Sequence, residues 1–119
     1  MDGEISAEEL FELLESDEPV RIVDIRSSVQ FNRRRIPGSE NIPFVELTRR
    51  IGELSGAERV VTVCPHGKSS VQAARLISSF EGFDGRVESL KTGLDGWPYE
   101  LETEQEATAT STDGPDAPF

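Results

Sequence analysis

An α/β layer sandwich around a mostly parallel sheet is the fold class that this 119-residue chain predicts. Three observations carry it. Short β-branched runs alternate with stretches of helical spacing. The run Arg59–Val63 is apolar without alternation, as a strand buried on both faces is. The length suits one domain with one core.

Taken in order, the first element is a helix. Ser6, Ala7, Glu8 and Glu9 form a capping box, in which Ser6 accepts from the Glu9 amide while the Glu9 side chain reaches back. Leu10, Phe11, Leu13 and Leu14 supply its buried face, and Pro19 ends any helical reading. Residues 20–25, VRIVDI, read as a strand. Residues 27–34 predict a short helix, and Ile36, Pro37, Gly38 and Ser39 a turn. Asn41 and Ile42 form a brief extended piece. After Pro43, the residues Phe44, Val45, Leu47, Ile51 and Leu54 have helical spacing. The strand Arg59–Val63 follows, then a helix over 69–80 with Val71, Ala74, Leu76, Ile77 and Phe80 to pack. Residues 87–90 read as another strand, and 92–98 as a turn-rich segment. From residue 103 onward, TEQEATATSTDGPDAPF carries almost no apolar payload and reads as an acidic disordered tail. The globular domain is assigned to 1–102 and the tail to 103–119.

Charge is the strongest signal of composition. There are 23 acidic against 12 basic residues, a formal net charge of -11, and only Lys68 and Lys91 among the bases are lysine. A lysine-poor, acidic surface resembles that of proteins adapted to high salt, where screening relieves self-repulsion; the alternative is an ordinary acidic cytosolic protein. The excess of acid leaves no basic face for nucleic acid. A single cysteine forms no internal disulfide and no multi-thiolate metal site. The N-terminal MDGEISAEEL lacks an apolar signal core, and no stretch approaches the ~18 apolar residues of a membrane span. The expected setting is soluble, reducing and cytoplasmic, with no membrane association, and the expected state is a monomer.

The chemistry concentrates in TVCPHGKSS, residues 62–70, which holds the only cysteine and the only histidine. Cys64 ends a buried strand, and in parallel sheets sites gather at the carboxyl ends of strands. The following loop and helix start offer backbone N–H groups that stabilise a thiolate. Gly67 permits the positive φ of a tight cradle, and Ser69 and Ser70 suit a helix N-cap. His66 and Lys68 each have two readings on residue type, solvated loop residue or ligand contact.

Spacing separates three site classes. A Cys–His hydrolase needs a histidine presented from elsewhere in the fold, and the only one is two positions along the same loop. A C-x5-R phosphatase needs arginine at position 70, where this chain has Ser70. Transfer of a sulfur atom through a cysteine persulfide needs one thiol and an amide cradle, and both are available.

At this point three ordered motifs resemble the rhodanese family, over about residues 4–101. Cys64-Pro65-His66-Gly67-Lys68-Ser69-Ser70 is similar to the active loop of short single-domain thiosulfate sulfurtransferases. Val23-Asp24-Ile25-Arg26, with Phe31 and then Ile36-Pro37-Gly38-Ser39-Glu40-Asn41-Ile42-Pro43, resembles a second family segment. Gly93-Leu94-Asp95-Gly96-Trp97 resembles the closing one. The resemblance implies a three-layer α/β/α sandwich around a mostly parallel sheet of about five strands. It also implies sulfurtransfer with Cys64 as the catalytic nucleophile, and His66, Gly67, Lys68, Ser69 and Ser70 binding substrate. No cofactor or metal is implied. The implied partners are a small anionic donor such as thiosulfate and a sulfur-acceptor protein; the alternative is a low-turnover sulfur carrier or interaction module. This chain departs from the pattern at Arg34-Arg35, where the family has Gly-His, and at Thr92, where it has Gly. Pro65 removes the N–H directly after the nucleophile. Asp24 and Arg26 read as structural, Arg33 to Arg35 as a solvated cluster, and Trp97 as core or rim.

Overall fold

A computed structural model describes residues 2–103. Five strands form one all-parallel sheet in the order β1-β5-β4-β2-β3. They are β1 (Asp2–Ile5), β2 (Arg21–Asp24), β3 (Glu40–Asn41), β4 (Arg59–Val63) and β5 (Arg86–Leu90). The helices are α1 (Ala7–Glu15), α2 (Ser28–Arg33), α3 (Phe44–Arg50) and α4 (Ser69–Ser79), with 3-10 turns at Ile51–Leu54 and Leu94–Gly96. The predicted tail, apart from Thr103, lies outside the described residues.

Two cores form, one on each face. Side chains alternate along β4, so Val60 and Cys64 join Leu47, Ala73, Ala74 and Ile77 of α3 and α4. Val61 and Val63 join Leu10 of α1, Ile36, Leu90 and Trp97 on the other face. This is the layered α/β/α arrangement. β4 is the middle strand of the five, which puts the cysteine following it at the centre of one sheet end. The chain leaves β2 toward β3 in one direction and β4 toward β5 in the other. The carboxyl ends of the neighbours β2 and β4 are therefore the topological switch point, where crevices form in open α/β sheets.

The capping box of α1 is present: Glu9 N–H donates to Ser6 Oγ and Ser6 N–H to Glu9 Oε1, each at 3.1 Å. Ser6→Ala is expected to cost about 1 kcal/mol, read as a lower urea midpoint at unchanged slope. The helix ends at Glu15, well before Pro19, because Asp17 takes the left-handed conformation (φ 67°) that closes a helix terminus. The 36–39 turn forms with Gly38 at φ 85° and the Ser39 amide donating to the Ile36 carbonyl at 3.0 Å.

Three expectations change. β1 was not among the strands predicted. Val45 is 93% exposed, because it stands two residues before the buried Leu47 of α3 and so about 200° around the helix from it. Leu76 of α4 is also exposed, and Ala73 is buried in its place.

Asp24 and Arg26 are structural, as expected. Asp24 is 1% exposed, and Arg26 pairs with it at 2.8 Å while also donating to the Arg34 carbonyl. Asn41 Nδ2 donates to the carbonyls of Asp24 and Arg26, both at 3.0 Å. The loop leaving β2 is thus pinned on three sides before it reaches α2.

Candidate active site

Cys64 leaves the carboxyl end of β4 and is 2% exposed. Two backbone amides converge on its Sγ, from Gly67 at 3.1 Å and Ser70 at 3.3 Å. Ser70 Oγ lies 3.4 Å from Sγ. There the thiol donates, and on ionisation the hydroxyl becomes the donor. Ser70 Oγ is in turn 2.6 Å from Ser89 Oγ, and both serines are wholly buried. Ser89 sits on β5 beneath the start of α4. Thr62 of β4 fixes the same helix start by donating to the Ser70 carbonyl at 2.7 Å.

Burial pushes the Cys64 thiol up. The Ser70 hydroxyl and the amides of Ser70, Gly67 and His66 outweigh that, so its pKa falls below the ordinary thiol value. Hydrogen bonds to a charged group contribute about 1.5–3 kcal/mol each, and one pKa unit needs about 1.4 kcal/mol. A few such donors therefore overcome the cost of burying one thiolate.

The sign for stability follows. Native Cys64 loses its proton at lower pH than the unfolded chain does. Its contribution to stability is complete above the ordinary thiol pKa, about 8.5, and is lost as pH falls through the native value. Alkylation of native protein by iodoacetamide is expected to show a midpoint below that of a free thiol. Ser70→Ala is expected to move the midpoint up and slow alkylation at neutral pH roughly tenfold, the worth of one hydrogen bond to a charged group. Ser89→Ala moves it the same way by less, since it acts only by orienting the Ser70 hydroxyl.

The loop is shaped by its carbonyls as well as its amides. Leu94 N–H holds the Cys64 carbonyl at 2.8 Å, and Asp95 N–H holds the Pro65 carbonyl at 3.0 Å. Both carbonyls are drawn toward the closing segment, while amides three and six residues beyond Cys64 reach Sγ. Position 65 thus works through its carbonyl, and proline there removes no donor that the Sγ cradle uses. Gly67, at φ 85°, lies against the backbone of Leu90 and Lys91; a Cβ there would sit 2.9 Å from the Lys91 carbonyl carbon. Gly93, at φ 70°, faces the loop from the closing segment.

The other predicted site residues take different positions. Lys68 is the N-cap of α4 and has no side-chain cap; Ser69 is the first helical residue and Ser70 the second. Neither serine is the N-cap that the sequence suggested, because Ser70 turns inward to Cys64 and Ser89. Lys68 and Ser69 are exposed. Among the described residues, no backbone or side-chain acceptor takes their amides, so both are available to an anion. His66 is exposed, and its Nδ1 lies 3.2 Å from Asp95 Oδ2. Its ring points to the closing segment and makes no hydrogen bond to Sγ.

Sequence reasoning missed two features. Ser89 was seen only as part of a strand, though a serine inside an apolar strand signals a buried partner. Arg33 and Arg34 were read as a solvated cluster, yet they border a cavity of about 460 Å³ with Arg26, Gln30, Pro65, His66 and Asp95. A second cavity, about 470 Å³, lies at the opposite end of the sheet beside α1. Its arginines, Arg59 and Arg86, are both bound to Glu88, and it is remote from the thiol.

The profile of the rhodanese-like domain matches residues 6–100. The thiosulfate sulfurtransferase GlpE of Shewanella oneidensis is 37% identical over 93 residues, covering 78% of this chain and 89% of that protein. YrkF of Bacillus subtilis, whose given name proposes a sulfur carrier, is 31% identical over 99 residues. That match covers 83% of this chain but 52% of YrkF, so the chain spans about half of that relative. A crystal structure of a thiosulfate sulfurtransferase from Pseudomonas aeruginosa superimposes with a TM-score of 0.78 at 28% identity, over 87% of this chain and 21% of that one.

Proposed function

The chain belongs to the rhodanese-like domain family, and from that premise we propose that it moves a sulfane sulfur from thiosulfate or a persulfide donor to a thiophilic acceptor through Cys64. The observation that carries the reading is the pair of amides, from Gly67 and Ser70, aimed at the Sγ of a buried cysteine. Donors of this kind favour the thiolate over the thiol and offset the cost of its burial.

The cycle needs no other catalytic side chain. The Cys64 thiolate attacks the outer sulfur of thiosulfate, an S–S bond forms, and sulfite leaves with the electron pair of the broken bond. The amides of Lys68 and Ser69, together with the Lys68 ammonium, meet the anionic donor at the mouth of the loop. An acceptor nucleophile then attacks the outer sulfur of the persulfide and returns Cys64 as thiolate. Such a cycle is ping-pong. His66 contacts Asp95 of the closing segment, and neither half-reaction, thiolate on sulfur, calls for a proton transfer.

Intact-protein mass spectrometry after thiosulfate treatment tests the reading. The expected result is a gain of one sulfur atom, mapped to Cys64 and discharged by cyanide as thiocyanate. A chain that gains no sulfur sinks the proposal. The name of YrkF favours a second reading, a carrier. It predicts the same adduct with slow discharge to cyanide and rapid discharge to a partner protein.

A further inference from the structure

The cavity at the switch point carries the inference. It is walled by Arg26, Gln30, Arg33 and Arg34 from the segment after β2, and by Pro65 and His66 from the loop after β4. The two residues that follow the nucleophile therefore form one side of it. Its volume, about 460 Å³, lies in the range of small-molecule sites and far exceeds what thiosulfate fills.

Its cations are unusual for this chain. Of ten arginines, seven are paired with a carboxylate. Among the described residues, only Arg33, Arg34 and Arg75 lack such a partner, although the chain carries 23 acids. Two of the three stand side by side on this cavity. Lys68, also without a carboxylate partner among the described residues, stands at the N-cap position of the helix that follows the loop. Two guanidinium groups and no competing acid other than Asp95, which faces His66, make a receptor for carboxylates.

Resting on the sulfurtransfer reading, we infer that this cavity binds a small organic thiol or its persulfide bearing carboxylate groups, with Arg33 and Arg34 as their anchors. The thiolate R–S⁻ attacks the outer sulfur of the Cys64 persulfide. The R–S–S⁻ bond forms, the bond to Sγ breaks, and the electron pair stays on Sγ. As donor, R–S–S⁻ runs the same exchange in reverse. A small ligand fits better than an acidic protein, because a protein would meet the whole field of a chain of net charge -11. A small anion inside the cavity is governed by the nearest cations.

The test uses full-length protein whose Cys64 has been loaded with thiosulfate, in single turnovers. The acceptors are mercaptosuccinate, with two carboxylates, and neutral 2-mercaptoethanol. Comparing variant with wild type for each thiol cancels the intrinsic reactivity of the thiols. R33Q/R34Q is expected to lower the mercaptosuccinate rate constant about five- to tenfold more than the 2-mercaptoethanol one. R75Q, on the exposed side of α4, is expected to change neither. In 1 M salt, where the Debye length is about 3 Å, the difference is expected to shrink. Equal losses for both thiols, or a preference intact in R33Q/R34Q, overturn the inference and leave sulfurtransfer standing. An acidic protein acceptor that shows this arginine dependence while mercaptosuccinate does not also overturns it. A second arm needs no sulfur chemistry. Methylthiosuccinate, a thioether that accepts no sulfur, is expected to bind wild type and not R33Q/R34Q by calorimetry. Failure of Cys64 to load with retained thioether binding refutes sulfurtransfer while keeping the carboxylate site; loss of thioether binding from wild type refutes the site.

Discussion

Cys64→Ser is expected to abolish thiosulfate-dependent thiocyanate formation, by at least about 10³-fold, and to remove the sulfur adduct altogether. The oxygen of serine sits in the same cradle, so the fold and the amides are retained. What is lost is the nucleophile, since no second thiol exists in the chain. A serine alcohol has no low-pKa anion at neutral pH, and among the described residues no side-chain base is bonded to position 64: the His66 ring faces Asp95 at 3.2 Å. The measurement is steady-state thiocyanate formation beside the urea unfolding curve. Retained stability with lost turnover assigns the chemistry to Sγ. Turnover persisting within tenfold of wild type would falsify the role given to Cys64.

The second large effect is expected from Gly93→Ala, which lies outside the Cys64 loop. Gly93 has φ 70°, a conformation that L side chains rarely adopt. A Cβ there would stand 2.6 Å from both the Cys64 carbonyl oxygen and the Gly67 nitrogen, and closer still to the Pro65 oxygen. All three are backbone atoms of the cradle, so relief must come from moving the loop or the closing segment. Displacement of about 1 Å at a reacting group can cost 10²-fold in rate. Strain of this kind costs about 1–3 kcal/mol. The expected variant therefore folds, with a lower urea midpoint, and loses roughly 10²-fold in turnover. Its alkylation midpoint rises toward that of a free thiol, because the Gly67 amide is displaced from Sγ. A normal midpoint with low turnover would mean that the cradle had tolerated the methyl group.

Much of this was legible in the sequence where the information is local. The apolar run of β4, the loop after it, the capping box at Ser6 and the turn at 36–39 are each written in a few adjacent residues. β1 was not legible, because DGEI offers no apolar alternation. It is a strand by virtue of its register with β5, Asp2 opposite Val87 through Ile5 opposite Leu90, and backbone pairing leaves no mark on side-chain types. Val45 misled because it is apolar but lies off the face that Phe44, Leu47 and Ile51 share, about 200° around α3 from Leu47. Ser70 looked like a cap because its type suits one, while its neighbours Ser89 and Cys64 lie 19 and 6 residues away in sequence. The cavity arginines were hidden for a related reason. Exposed charge reads as solvation until the topology brings the ends of β2 and β4 together. Pro65 removes the N–H next to the nucleophile in a linear reading, but the amides that reach Sγ are those of residues 67 and 70.

The closing segment also carries the only tryptophan of the chain. Trp97 lies four residues beyond Gly93, 7% exposed, with its ring edge-on to Phe11 at 6.5 Å and to Tyr99, the only tyrosine, at 5.1 Å. The amides just before it hold the carbonyls of Cys64 and Pro65. The molecule therefore contains its own optical reporter, one emitter wired by backbone to the loop that takes up sulfur. Stopped-flow emission on mixing with thiosulfate is expected to follow loading in real time, with no label attached, and to fall silent in Cys64→Ser.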